Sequence, residues 1–290
     1  MPSTRDIRRR IKSVKNTAQI TKAMQMVAAS KMRRAQQAAL AGRPYAELMN
    51  KVLAAVAAAN REANHPFLEK REGARRCVIL ISTDKGLCGG LNSNLMREAA
   101  KFEPDAIFVA AGRKGSQFLA RTKRRMLAEF SFKDAPLFAE ARAISKFAGD
   151  LFVKGEVDRV DIVFTRFIST LVQKPEVRQL LPISEVTAVK AGMGEDRAGS
   201  FPGQPGEFLF EPSQEEVLAA LLPHSLNFQI YQILLEAKAS EQSARMVAMK
   251  NATDNANQFI KDLTLEYNKL RQASITKELL EIASAAMAMA

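Results

Sequence analysis

Two spacings of apolar residues divide the chain. From Ser3 to Ala41, and again from His224 to Ala290, there is neither glycine nor proline, the two residues that break long helices. The second run is 67 residues long and would extend roughly 100 Å at the rise of an α-helix. Within it Leu226, Ile230, Ile233, Ala237, Ser240, Ala244 and Val247 step alternately by four and three, the coiled-coil interval. Ala256, Phe259, Leu263, Tyr267 and Leu270 resume after one phase shift, and Ile275, Leu279 and Ile282 after another. The first run opens on Ile7, Ile11 and Val14 and drifts to Ile20, Met24 and Val27, with alanine at many remaining positions. These patterns predict an N-terminal stalk helix over 1–64 pairing antiparallel with a C-terminal one over 213–290. Ser213 and Glu216 mark the start of the latter as a capping box. Ordinary bundle helices share the periodicity but not the length.

Between the helices the period changes. Cys77 to Ile81 is a continuous apolar run, as in a strand buried on both faces. Gly86, Gly89 and Gly90 follow, then a helical stretch from Leu91 to Phe102. Ile107–Ala110 reads as a second strand, followed by a short helix around Phe118; Pro136 opens a helix to Phe152. Val160–Thr165 reads as another strand, extended by Phe167–Leu171, and Val177–Leu181 as its return from a turn at Lys174-Pro175. Alternating strands and helices predict a mostly parallel α/β sheet domain over 74–190. Five glycines and three prolines in 192–212 place a loop over 191–212.

Charge adds the next constraint. The net charge is +12, and residues 1–60 carry 12 Lys/Arg against Asp6 and Glu47 alone, whereas 213–290 carry 7 against 9 acids. A basic first helix beside a mildly acidic last one favours their pairing, and the surplus calls for an acidic partner. The Arg5, Arg8, Arg9 and Arg10 cluster lacks the apolar core of a secretory signal. The longest purely apolar stretch, Val52–Ala59, is far short of the ~18 residues of a membrane span. Two cysteines exclude a disulfide framework and suggest a reducing compartment.

Candidate chemistry is sparse. The turn Thr83–Gly90 sits where phosphate loops occur, after a strand and before a helix. Yet it fits neither G-x-x-x-x-G-K-[ST] nor G-x-G-x-x-G, and Lys85 precedes its glycines. Only His65 and His224 occur, without a cysteine or carboxylate cluster at metal-ligand spacing. No catalytic, cofactor or metal site is therefore predicted. The basic start could bind nucleic acid or an anionic membrane as a coiled-coil adaptor. However, few aromatics interleave with its charge and no nucleic-acid motif appears.

Four longer segments carry a resemblance. Ile20–Met32 (ITKAMQMVAASKM), Ser82–Asn92 (STDKGLCGGLN), Ser240–Lys250 (SEQSARMVAMK) and Tyr267–Thr276 (YNKLRQASIT) together resemble the gamma subunits of the bacterial F-type ATP synthase. They stand in the family's order across essentially the whole chain. The resemblance implies a central rotor stalk without catalysis or cofactor of its own. It implies alpha and beta subunits around the helical pair, an epsilon subunit at the foot, and a proton-carrying ring in the membrane beneath. This makes the chain peripheral to the cytoplasmic face of a bacterial inner membrane, with no nucleic-acid partner. Carried over by motif, Met24, Lys85, Cys88 and Arg245 would lie near acidic lever loops of beta. Arg271, Gln272 and Thr276 would contact beta higher in the hexamer, and Phe208, Phe210 and Glu211 would face the ring. The paired-cysteine segment of chloroplast members has no counterpart here, since Cys77 and Cys88 fall in the predicted strand and turn.

Overall fold

The computed structural model describes residues 3–59, 65–71, 73, 75–183, 211 and 213–289. Apart from Glu211, the expected loop over 191–212 lies outside them. Helices α1 (Thr4–Ala41), α2 (Arg43–Ala59), α3 (Leu91–Ala99), α4 (Arg113–Arg121), α5 (Phe138–Val153) and α6 (Gln214–Met289) accompany five strands. These are β1 (Arg76–Ile81), β2 (Ile107–Ala111), β3 (Met126–Phe130), β4 (Arg159–Phe167) and β5 (Gln173–Leu181). The chain forms two compact units, one of residues 28–245 and one joining 1–27 to 246–290.

In the unit 28–245 the strands form one sheet in the order β3-β2-β1-β4-β5, parallel except for the antiparallel edge β5. The apolar runs of β1 and β2 are buried on both faces, as their lack of alternation predicts. On one face Val78, Leu80, Phe108 and Val163 pack with Leu95 of α3 and Leu119 of α4. On the other, Ile79, Val109, Ile162 and Phe164 share a core with α5, with Met49 and Leu53 of α2, and with Leu222, Ile230 and Ile233 of α6. Burying such side chains stabilises by roughly 1.5–3 kcal/mol each.

Several expectations change here. β3 was not predicted; its Met126, Ala128 and Phe130 are half-buried while Leu127 and Glu129 face out, an edge-strand alternation too short to stand out. The β4–β5 turn lies at 168–172, not at Lys174-Pro175, and Ile168 and Leu171 are exposed in it. Pro175 sits within edge strand β5, where a missing N–H is tolerated. Helix α1 gives way to α2 at Gly42, where a Cβ would meet the Gln232 side chain at 2.0 Å. Conversely, Pro223 interrupts nothing: α6 runs through it, with Ser213 Oγ accepting the Glu216 N–H at its start.

From Leu226 to Arg245, α6 is not a striped helix. Nearly every residue is buried or half-buried, as for a helix enclosed on all sides. Its polar side chains meet the strand ends. Ser240 Oγ donates to the Thr165 carbonyl (2.9 Å), Ser243 Oγ to the Thr170 carbonyl (2.8 Å), and Glu236 Oε1 accepts the Phe167 N–H (3.1 Å).

In the unit of 1–27 and 246–290 the helices pair along a narrower seam. Its α6 side is Met249, Thr253, Ala256, Ile260, Leu263, Tyr267 and Leu270, a regular heptad in which Ile260 replaces the expected Phe259, itself 51% exposed. On α1 the seam continues past Val14 through Ala18 and Thr21, while Ile20 and Val27 face outward. The expected drift does not occur, because small residues occupy the buried positions. Thr21 and Thr253 hydroxyls meet at 2.7 Å across it.

Burial lifts the Glu236 carboxyl from its ordinary 4.5 to about 7, against the opposing pull of the Phe167 N–H. The folded chain therefore holds this proton more tightly than the unfolded chain does. The stability it contributes is present in full below pH 4.5 and is lost as pH rises towards 7, roughly 3 kcal/mol in all. Glu236→Gln, which keeps an acceptor for Phe167, should raise the urea midpoint at pH 8 and leave it unchanged or lower at pH 5. A gain larger at pH 5 than at pH 8 would contradict this assignment.

Candidate functional site

The turn after β1 lies at the carboxyl end of the sheet, beside the point where strand order reverses between β1 and β4. Doubly wound sheets bind their ligands in that position. Here the donors of the neighbouring helix α4 are already engaged. At the start of α4, the N–H of Arg113 goes to Asp84 Oδ1 (3.0 Å), that of Lys114 to the Thr83 carbonyl (2.9 Å) and that of Gly115 to Ser82 Oγ (2.7 Å). Gly112, at φ +106°, lets this approach happen, since a Cβ there would stand 2.3 Å from the Ser82 carbonyl oxygen. The N-terminal amides of α4 therefore serve the turn itself, not an anion.

The turn is closed from within by Asn92, whose Nδ2 donates to Thr83 Oγ1 (2.7 Å) and Cys88 Sγ (3.3 Å), while Thr83 Oγ1 donates to the Lys85 carbonyl (2.8 Å). Leu87 and Gly89 adopt left-handed backbone conformations, and Leu87 is 61% exposed at the tip. Cys88 points inward and is buried. From α6, Arg245 Nη2 reaches the carbonyls of Lys85 (3.3 Å) and Gly86 (3.1 Å) and also Glu241 Oε1 (2.8 Å). Thus Lys85 and Cys88 of one stretch and Arg245 of another come together in one place. Leu87, an exposed apolar side chain beside the exposed Lys85, was missed; only its unusual backbone conformation would have singled it out.

The sequence matches the ATP synthase family description over residues 3–289. It is 54% identical to the ATP synthase gamma chain of Opitutus terrae and 48% identical to that of Methylacidiphilum infernorum, each covering all of both chains. This chain belongs to the ATP synthase gamma-chain family. Its fold is similar to a chain of the Tetrahymena thermophila mitochondrial ATP synthase central stalk and c-ring structure. That likeness has TM-score 0.60 and 25% identity, covering 80% of this chain and 99% of that one. A chain of the Euglena gracilis mitochondrial enzyme shares the fold at TM-score 0.69 and 20% identity, over 99% and 94% of the two chains.

The other gamma-chain candidates belong to other elements of the chain. Met24 is half-buried on α1. Arg271, Gln272 and Thr276 are exposed on α6, and the Thr276 hydroxyl donates back to the Gln272 carbonyl at 3.0 Å. From Arg271 through Met287 every residue is exposed. Glu211 is exposed too, whereas Phe208 and Phe210 fall outside the described residues. Among the described residues no cluster of His, Cys, Asp and Glu could hold a metal, and no helix is long and apolar enough to cross a membrane.

Both thiols are suppressed. Burial pushes Cys77 in β1 up to about 12, and burial also raises Cys88 despite the nearby Arg245 charge. A bulky aromatic disulfide reagent at pH 8 should therefore modify the native chain slowly and both thiols promptly after denaturation. Diamide should leave both free by mass spectrometry. Prompt modification of the folded chain would show that these thiols are accessible and acidic after all.

Proposed function

We propose that this chain is the central rotor stalk of a proton-translocating F-type ATP synthase. It transmits torque between a membrane ring and a catalytic alpha/beta hexamer during ATP synthesis or hydrolysis, and through it ATPase activity and proton flow are regulated together. The carrying observation is whole-length kinship with ATP synthase gamma chains. An antiparallel helix pair whose exposed α6 end closes on small apolar residues suits insertion into a hydrophobic sleeve of the hexamer. The partners are the alpha and beta subunits, an epsilon subunit and the proton-carrying ring. The chain is a peripheral part of the complex, at the cytoplasmic face of a bacterial inner membrane.

The chain performs no chemistry of its own in this reading. The amides at the start of α4 are occupied by Asp84, Thr83 and Ser82, and His224 is engaged with Tyr45. Catalysis then falls to beta, and this chain contributes an asymmetric surface. On that surface Met24 and Lys85 meet the acidic lever loops of beta, and the buried Arg245 supports from behind the turn that carries Lys85. Arg271, Gln272 and Thr276 form polar contacts higher up, and Phe208, Phe210 and Glu211 face the ring. The buried Cys88 supports its turn from within, so Leu87 takes its place as the contacting residue.

One experiment separates a rotor from a static scaffold, and a second tests the polar contacts of α6. A disulfide between Leu87→Cys and a cysteine in one lever loop of beta should abolish steady-state turnover in the cross-linked fraction, with recovery on reduction. Turnover at the parent rate in fully cross-linked complex would sink the rotor assignment for this turn. Replacing Arg271 and Gln272 by Ala should impair complex assembly or coupled synthesis with the sheet domain still folded, because each charge-assisted bond contributes about 1.5–3 kcal/mol. Parental synthesis and yield would remove these two positions from the contact surface.

A further inference from the structure

The charges on α6 between Lys238 and Arg245 include two that the stalk reading does not use. Lys238 (2% exposed), Glu241 (3%) and Arg245 (8%) are buried within two turns of one helix. Glu241 divides its oxygens between the cations: Oε2 takes Lys238 Nζ at 3.0 Å and Oε1 takes Arg245 Nη2 at 2.8 Å. Beyond Lys238 the alternation continues, with Asp134 Oδ1 at 3.7 Å from its Nζ and Asp134 Oδ2 in turn bonded to Lys31. Lys238 also lies over the Phe132 ring. Signs therefore alternate from α1, through the segment after β3, along α6 and out to the turn after β1.

Glu241 is the group in this row with the least redundancy. Lys238 has a second carboxylate in Asp134 and an aromatic face, so it does not depend on Glu241 alone. Among the described residues Arg245 has no second acid as a bonded partner; beyond Glu241 it meets the neutral carbonyls of Lys85 and Gly86. A buried guanidinium facing neutral acceptors alone is under-compensated and, on a long flexible stem, would move towards water. A carboxylate four residues earlier on the same helix face restrains it.

We propose that Glu241 is the positioning residue for Arg245, holding its guanidinium on the Lys85 and Gly86 carbonyls and so keeping the 84–90 turn closed against α6. Among the described residues no other α6 side chain hydrogen-bonds this turn's main chain. Loss of Glu241 therefore opens the turn without touching any residue of the turn itself. The inference goes beyond the stalk reading and does not depend on it.

The two cysteines make the test internal. Cys88 sits inside the turn and reports its opening, whereas Cys77 lies in β1 and reports the sheet. Iodoacetamide labelling of the full chain is followed at both thiols by peptide mass spectrometry from pH 7 to 9. Glu241→Gln and Arg245→Gln should each accelerate Cys88 alkylation by about ten- to a hundredfold, the change in local opening expected for a lost charge-assisted bond. Cys77 should stay unreactive. Carrying both substitutions should give no more than the faster single one, because both break one contact. These two substitutions remove charges of opposite sign, so an effect on thiol acidity alone would move the rates in opposite directions. A shared rise identifies opening of the turn.

Should Glu241→Gln fail to fold because Lys238 is left with Asp134 alone, Lys238→Met with Glu241→Gln removes both charges and takes its place. Three results would overturn the proposal. One is an unchanged Cys88 rate in the Glu241 variant. Another is Cys77 and Cys88 opening together. The last is a doubly substituted chain whose rate multiplies the single effects.

Discussion

The constraint on which the unit 28–245 depends is the burial of a polar helix face against strand ends. Between Glu236 and Arg245, α6 carries two acids, two cations and two serines into a largely dry environment. Each is unfavourable there unless it is paired. Glu241 pairs with Lys238 and Arg245, and the remaining compensation comes from main-chain groups at the carboxyl edge of the sheet, namely the carbonyls of Thr165, Thr170, Lys85 and Gly86 and the N–H of Phe167. In most folds of this architecture a nucleotide or other small ligand occupies that edge. Here the chain's own helix does so, and the site that such sheets offer to chemistry becomes a joint.

The same helix uses different physics in the other unit. Its heptad positions there are mostly Ala, Thr and aliphatic residues, and the buried hydroxyl contact across the seam, Thr21 with Thr253, is neutral. Small residues allow close backbone approach and demand no particular ionic partner. One unit is thus specified by charge placement and the other by shape.

These differences decide what could be read beforehand. β1, β2 and β4 were legible because uninterrupted apolar runs have few alternatives. β3 was not, since Met126–Phe130 is short and half-polar. The hairpin after β4 was misplaced because Ile168 and Leu171 are apolar yet exposed, and no turn residue there outweighs them. Ile20, Val27 and Phe259 drew the expected stripe onto the wrong face, while Ala18, Thr21 and Ile260 held the seam. Composition cannot tell a large exposed side chain from a small buried one. Of the candidate site, Arg245 and the turn were legible as motifs, and their contact became visible only through the sheet topology. The inward aim of Cys88 and the outward aim of Leu87 depended on backbone torsions that residue types alone do not reveal.

The α6 end beyond Leu270 has a consequence for the life of the chain before assembly. Residues 271–287 are exposed among the described residues, and a helical segment of that length is only marginally stable in water on its own. An unassembled copy therefore presents a fraying terminus to proteases, whereas a surrounding partner would supply the missing order and shield the peptide bonds. Proteolytic cleavage at this end would then fall on unassembled copies before assembled ones.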